Sequence, residues 1–140
     1  MNNIISRVED GRRIVTLSRP EKRNALNAAM IAGLSEAFED DLPVLLRAEG
    51  KAFCAGLDLD YLYAMMQRPY EENLADARRL GAMYYAIWNH PKPVVAAVQG
   101  PALAGGCGLV SVCDYVVAAP EAKFGYTEVT IGFQIGRAHV

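Results

Sequence analysis

The sequence predicts an α/β protein with a mostly parallel sheet, and two patterns carry that prediction. Short β-rich runs alternate along the chain with longer amphipathic segments, which is typical of α/β architecture. The runs at 44–46 and Val94–Val98 are wholly apolar, as expected of buried strands. With 140 residues and a hydrophobic fraction of 52%, the chain is long enough for one domain with a real core.

The first third of the chain predicts a hairpin, a loop and a helix. Two β-rich runs, 4–8 and 14–17, flank an Asp-Gly pair, which is a hairpin signal. Residues 18–27 are polar and contain a proline, so they predict a loop. Asn27 is a suitable N-cap, and apolar residues at helical spacing follow it to about residue 41.

The remaining two thirds continue the alternation. Residues 70–89 predict a long helix whose apolar face includes Leu80, Tyr84 and Ile87, with Leu74 and Ala77. The prolines just after it end that helix. The other predicted elements are a strand at 44–46, a helix over 58–66, a strand at Val94–Val98, a short helix reaching Cys113 and a strand over 114–118.

Composition excludes several classes of protein. The net charge is −2 and no basic run is present, which argues against a nucleic-acid partner. Cys54, Cys107 and Cys113 form no CxxC pair, and His90 and His139 have no ligand-like spacing, so we expect reduced thiols and no metal site. With no apolar leader or spanning segment in view, we expect no membrane association and a cytoplasmic location.

A glycine-rich turn is the most informative stretch of the chain. Residues 104–108 read AGGCG and lie between a predicted strand and the start of an apolar helix. The first amides of a helix have no internal acceptor, and glycine lets a ligand approach them closely. A second such bend, FCAGLD, occupies 53–58, so one donor from each bend could hold one oxyanion. The alternative is that the glycines only allow tight packing.

Five segments together resemble a known family. In order they are RPEKRNALN, GKAFCAGLDL, KPVVAAVQGPALAGGCGL, CDYVVAA and KFGYTEVTIGF. They are similar to the motifs of the crotonase family, the enoyl-CoA hydratases and isomerases, from residue 4 to about 133. The resemblance implies a crotonase-like fold, a repeated ββα spiral. The family's C-terminal helical part, which closes the acyl pocket and builds a homotrimer or dimer of trimers, is missing from this sequence.

The resemblance also implies an acyl-CoA thioester as the partner. The amides matching the family's oxyanion hole are those of Leu57 and Gly105, and Glu128 matches a catalytic glutamate that moves protons. No separate cofactor is implied, because coenzyme A is part of the substrate. The positions that match coenzyme A contacts are Lys22, Arg23, Ala25, Ala55, Gly56, Asp58, Leu59 and Gly106.

One departure from the family bears on the reaction. Hydratases of the family carry a further glutamate where this chain has Gly108. A double-bond isomerase needs only one base, so Gly108 favours an isomerase, with a hydratase of a special substrate still open. An inactive acyl-CoA-binding module is the alternative. A nucleotide-binding domain is weaker, since no phosphate-loop motif is present.

The last residues do not fit the predicted domain. The segment IGRAHV at 135–140 suits neither a strand nor an amphipathic helix, and it matches a translated sequencing adapter. We therefore expect an incomplete domain over 1–134 and a non-native tail over 135–140.

Overall fold

The computed structural model describes residues 2–127, and a twisted sheet runs through their centre. Its long strands are joined by helices, as the alternating sequence pattern predicts. In chain order the elements are β1 (Ile4–Glu9), β2 (Arg12–Leu17), a 3-10 turn (Pro20–Lys22), α1 (Ala28–Ala37), β3 (Val44–Ala48), α2 (Leu59–Met65), α3 (Tyr70–Trp88), β4 (Val94–Val98), β5 (Ala102–Leu103), α4 (Gly105–Ser111), β6 (Tyr115–Ala118) and β7 (Phe124–Gly125).

The main sheet has the order β1-β2-β3-β4-β6. The hairpin signal is confirmed, because β1 and β2 pair antiparallel across Asp10 and Gly11, which have φ values of +51° and +76°. Two successive positive φ angles are what a tight hairpin turn requires, and Asp-Gly supplies them. All other neighbours in this sheet pair parallel, as expected from the alternation of strands and helices, although β6 is exposed along its length.

Helix α1 begins where the sequence predicts and ends earlier. The Asn27 side chain accepts a hydrogen bond from the Met30 amide and so caps the helix. The predicted end near residue 41 is wrong, because Phe38 leaves helical geometry, with φ −102° and ψ 16°. Asp40 then forms an ion pair with Arg13 of β2 instead of extending the helix.

The long helix α3 is confirmed, with most of its predicted face packed inward: Ile87 is buried, and Leu80 and Tyr84 pack against the core. The prediction is wrong for Ala77, which is exposed, and Met83, which it left out, is buried. Asp76 is also buried on this helix, where its carboxylate forms ion pairs with Arg68 and Arg79. A buried carboxylate is tolerated only when partners compensate its desolvation, and sequence periodicity does not register such partners.

A small second sheet was not expected from the sequence. Strands β5 and β7 have only two residues each and pair parallel. An isolated bridge between Cys54 and Ala102 extends this pairing to the FCAG bend. These short contacts hold the two glycine-bearing bends side by side.

Within residues 2–127, no helix is both long enough and apolar enough to cross a bilayer.

Candidate active site

Two backbone bends from separate parts of the chain lie against each other. The Phe53 and Cys54 amides both donate to the Pro101 carbonyl, and the Leu103 amide donates back to the Cys54 carbonyl at 2.9 Å. This short ladder carries the two bends into van der Waals range. A Cβ placed on Gly56 would lie 3.4 Å from Gly105 N, and one placed on Gly105 would lie 3.7 Å from Leu57 N. The two predicted donor amides are therefore neighbours.

Two hydrogen bonds of the neighbouring residues orient the Leu57 amide. The Leu26 amide donates to the Gly56 carbonyl at 2.7 Å, and the Asp58 amide donates to the Leu26 carbonyl at 2.8 Å. Along an extended segment, successive N–H groups point in opposite directions. The N–H of Leu57 therefore points away from Leu26, and no acceptor for it lies among residues 2–127.

The Gly105 amide is the first of helix α4, where helical bonding provides no acceptor. The residue before it, Ala104, has φ +53° and ψ −119°, which a residue with a Cβ adopts only under constraint. The constraint is visible on both sides of Ala104. Its amide donates to the Gly125 carbonyl at 2.7 Å, and its carbonyl accepts from the Gly108 amide at 3.1 Å. The turn is thus fixed by its surroundings before any ligand arrives.

Gly106 is where the two bends approach most closely. A Cβ placed there would lie 2.2 Å from the carbonyl oxygen of Cys54, so only glycine fits. Cys54 itself is inert, since burial raises the pKa of its thiol to about 12 despite the opposing contact from the Gly56 carbonyl. A thiol with that pKa stays protonated near neutral pH and has a packing role.

The two segments expected to contact coenzyme A, residues 22–25 and 55–59, lie against each other. The Ala55 amide donates to the Arg23 carbonyl at 3.0 Å, and the Leu26 and Asp58 bonds continue the same contact. Lys22 and Arg23 are exposed and form no ion pair with any described residue. Of the other expected contact positions, Ala25 and Ala55 are half-buried, Gly56 and Gly106 are buried, and Leu59 is exposed.

Asp58 is committed to contacts within the protein. Its side chain caps α2 by accepting from the Tyr61 amide and pairs with Arg19 at 2.6 Å. Burial by itself would raise the pKa of Asp58, but the hydrogen bonds from Arg19 and Tyr61 and the Arg19 charge hold it below its ordinary value. The carboxylate is therefore charged near neutral pH and has little freedom to meet a ligand.

Two polar residues, Arg19 and Asn24, support the predicted loop at 18–27, and the sequence analysis did not identify them. Asn24 is fully buried, with its side-chain amide donating to the carbonyls of Glu49 and Ala52 and its oxygen accepting from the Arg19 amide. The Arg19 guanidinium also donates to the Ala25 carbonyl at 3.0 Å. A polar loop predicts exposed side chains, so the burial of Asn24 was not expected. The one local signal is its φ of +55°, because asparagine adopts positive φ more readily than most residues.

Tyr84 was also missed, because helical spacing placed it on an apolar face. Its hydroxyl leaves that face and donates to the Gly105 carbonyl at 2.8 Å. The phenol lies beside Gly108, the position at which the sequence departs from the hydratases. Glu128, the expected proton carrier, and the rest of 128–140 lie outside the described residues.

This arrangement places two neighbouring amides that have no acceptor among residues 2–127 beside an exposed basic loop. Comparison with known proteins gives the family of the chain. A family model, enoyl-CoA hydratase/isomerase, matches residues 8–138. The human enoyl-CoA hydratase domain-containing protein 3, mitochondrial, is 40% identical over 129 residues, which cover 88% of this chain and 42% of that protein. The crotonyl-CoA hydratase of Syntrophomonas wolfei is 34% identical, with 96% of this chain and 53% of that protein covered.

Solved structures give the same result. The crystal structure of an enoyl-CoA hydratase from Mycobacterium smegmatis superposes with a TM-score of 0.86 at 38% identity, covering 94% of this chain and 53% of that one. The chain belongs to the enoyl-CoA hydratase/isomerase family and has its crotonase-like α/β fold. It spans about half the length of the relatives it matches.

Proposed function

We propose that this protein is an acyl-CoA enzyme that stabilises the enolate-like oxygen of a thioester with the amides of Leu57 and Gly105. The observation that carries the proposal is the approach of these two amides, one from each bend, with neither given an acceptor among residues 2–127. Loss of an α-proton puts negative charge on the thioester oxygen. Fixed donors stabilise that charge more than the ground-state carbonyl, which lowers the barrier.

The exposed loop beside the bends would bind the coenzyme A moiety. Its phosphates are anionic, and Lys22 and Arg23 provide positive charge without competing ion pairs among the described residues. The backbone bonds that join this loop to 55–58 set its distance from the Leu57 amide. A substrate anchored at the loop would thus present its thioester to the two donors.

Glu128 is the proposed base. A carboxylate beside a bound acyl chain can take the α-proton and return it to another carbon. A carboxylate whose pKa is raised toward neutrality by partial burial is suited to both accepting and donating a proton. This role rests on the match of FGYTE to the family motif.

The absence of a side chain at Gly108 supports isomerisation over hydration. An isomerase moves one proton: Glu128 removes it from the carbon next to the thioester and returns it two carbons further, and the double bond moves into conjugation. Hydration must also activate and deliver a water, for which the family uses two carboxylates. A protein that binds acyl-CoA without turnover is the second candidate, and Gly108 also favours it.

Two substrates distinguish these possibilities in the full-length protein that carries this sequence. Turnover of 3-enoyl-CoA without hydration of 2-enoyl-CoA supports the isomerase, and hydration of 2-enoyl-CoA supports a hydratase. Binding of both without turnover leaves the non-catalytic module. Failure to bind either thioester contradicts the proposal as a whole. A homotrimer or dimer of trimers and a cytoplasmic location stay predictions, and light scattering and cell fractionation test them.

A further inference from the structure

We propose that Tyr84 is a positioning residue of this site, which holds the Gly105 turn through its hydroxyl and fills the space beside Gly108. This inference rests on the proposed function, because it concerns the same oxyanion-binding amides. Tyr84 lies in none of the five segments that resemble the family, so the inference adds a residue to the site. Tyr84 lies on α3, whereas the turn belongs to α4, so the contact ties two separate helices together.

The first observation is a hydrogen bond to the turn itself. The Tyr84 hydroxyl donates to the carbonyl oxygen of Gly105 at 2.8 Å. A carbonyl has two lone pairs, so this bond coexists with a helical bond to the same oxygen. The bond fixes Gly105 from its carbonyl side, whereas the contacts of Ala104 fix it from its amide side. Because the Gly105 amide is held on both sides, it needs no rearrangement when charge develops on the thioester oxygen.

The second observation concerns the space next to position 108. A Cβ placed on Gly108 would lie 3.2 Å from the Tyr84 hydroxyl and 3.4 Å from two ring carbons, and one placed on Gly105 would lie 3.1 Å from the same hydroxyl. The two separations from the hydroxyl oxygen lie just below the ordinary carbon–oxygen contact of about 3.3–3.6 Å, so a methyl group at either position requires the phenol to move by a few tenths of an ångström. The phenol therefore packs directly against position 108, where glycine leaves its contact with the turn unstrained.

The two observations give one physical reason for the unusual residue at 108. A side chain there would crowd the phenol and strain its bond to Gly105. This site therefore has the phenol in place of the second carboxylate, which agrees with a reaction that uses one carboxylate.

Replacing Tyr84 by Phe tests the inference, with Tyr85→Phe as the matched control. Tyr85 is next on the same helix, and its side chain is 69% exposed. In the full-length protein, we expect Y84F to lower kcat roughly three- to tenfold, as for loss of one hydrogen bond. KM and the melting temperature should change little, and Y85F should match wild type. The infrared carbonyl band of a bound ¹³C-labelled acyl-CoA should move in Y84F toward its frequency in water.

A second variant tests the shared space. G108A should also lower kcat, because its methyl group pushes the hydroxyl away from the Gly105 carbonyl by a few tenths of an ångström, and its effect should shrink in the Y84F background. Wild-type kcat and an unshifted carbonyl band in Y84F would overturn the inference, as would strictly additive effects of the two substitutions. A loss of kcat that follows a loss of thermal stability, with the carbonyl band unchanged, assigns Tyr84 to packing and also overturns it. If wild type neither turns over enoyl-CoA nor shifts the carbonyl band, the proposed function has failed first.

Discussion

Gly106→Ala probes the closest contact between the two bends. The added Cβ would lie 2.2 Å from the carbonyl oxygen of Cys54 and 2.8 Å from its carbonyl carbon. Carbon–oxygen contacts are ordinarily about 3.3–3.6 Å, so the bends must separate by about 1 Å. Overpacking of this kind costs about 1–3 kcal/mol of folding free energy. A displacement of about 1 Å at a reacting centre lowers the rate roughly 100-fold.

Gly81→Ala is the matched control, because it adds the same methyl group to a helix where nothing lies within 4 Å of the new Cβ. Alanine is favoured over glycine inside a helix by roughly 0.5–1 kcal/mol, so this variant should be slightly more stable than wild type. Its turnover should be unchanged. Urea unfolding measures the stability of both variants, and steady-state assays with 3-enoyl-CoA measure kcat.

These two variants distinguish the closeness of the bends from its effect on the reaction. If G106A is as stable as G81A, the bends do not approach as closely as the structure has them. If G106A is destabilised and keeps wild-type kcat, the separation of the bends has no bearing on the reaction. The second result would refute the proposal that these amides form the oxyanion site.

Three further predictions concern the base, the anion-binding loop and the buried ion pair. Glu128→Gln should abolish turnover while leaving the Kd for acyl-CoA near wild type by calorimetry, and a fully active variant would remove Glu128 from the mechanism. Replacing Lys22 and Arg23 together by Gln should weaken coenzyme A binding about tenfold at low salt, with the difference shrinking as salt is added; equal affinity would contradict the loop assignment. Asp58→Asn should cost about 3–5 kcal/mol at neutral pH by leaving Arg19 without its partner. Because the folded-state pKa of Asp58 is lowered, its stabilising contribution is present above the unfolded value near 3.9 and is lost as pH falls through the folded value, so urea midpoints of variant and wild type should converge in acid.

Local signals in the sequence predicted most of the fold. The Asp10-Gly11 turn, the Asn27 cap and the apolar strand at Val94–Val98 each follow from a preference of a few adjacent residues, and the structure confirms them. The two-residue strands β5 and β7 have no such signal. Their pairing depends on contacts between distant segments, which no local pattern encodes.

The site likewise contains residues that local signals identify and residues that depend on contacts between distant segments. The glycine bends stand out because glycine marks close backbone approach, and the structure places Gly56, Leu57 and Gly105 together. Helical periodicity assigns Tyr84 to an apolar face because it does not distinguish a buried ring from a ring whose hydroxyl reaches another helix. Asn24 was missed for a related reason: its bonds to the carbonyls of Glu49 and Ala52 are made across the fold.

The most direct test of the central claim follows the two donor amides by NMR. Uniformly ¹⁵N-labelled full-length protein is titrated with an acyl-CoA and, separately, with the matching alkyl-CoA thioether, which lacks the carbonyl oxygen. We predict that the thioester moves the amide protons of both Leu57 and Gly105 downfield, whereas the thioether leaves them near their free positions. The amides of Lys22 and Arg23 should respond to both ligands. Equal responses of Leu57 and Gly105 to the two ligands would contradict a shared oxyanion site.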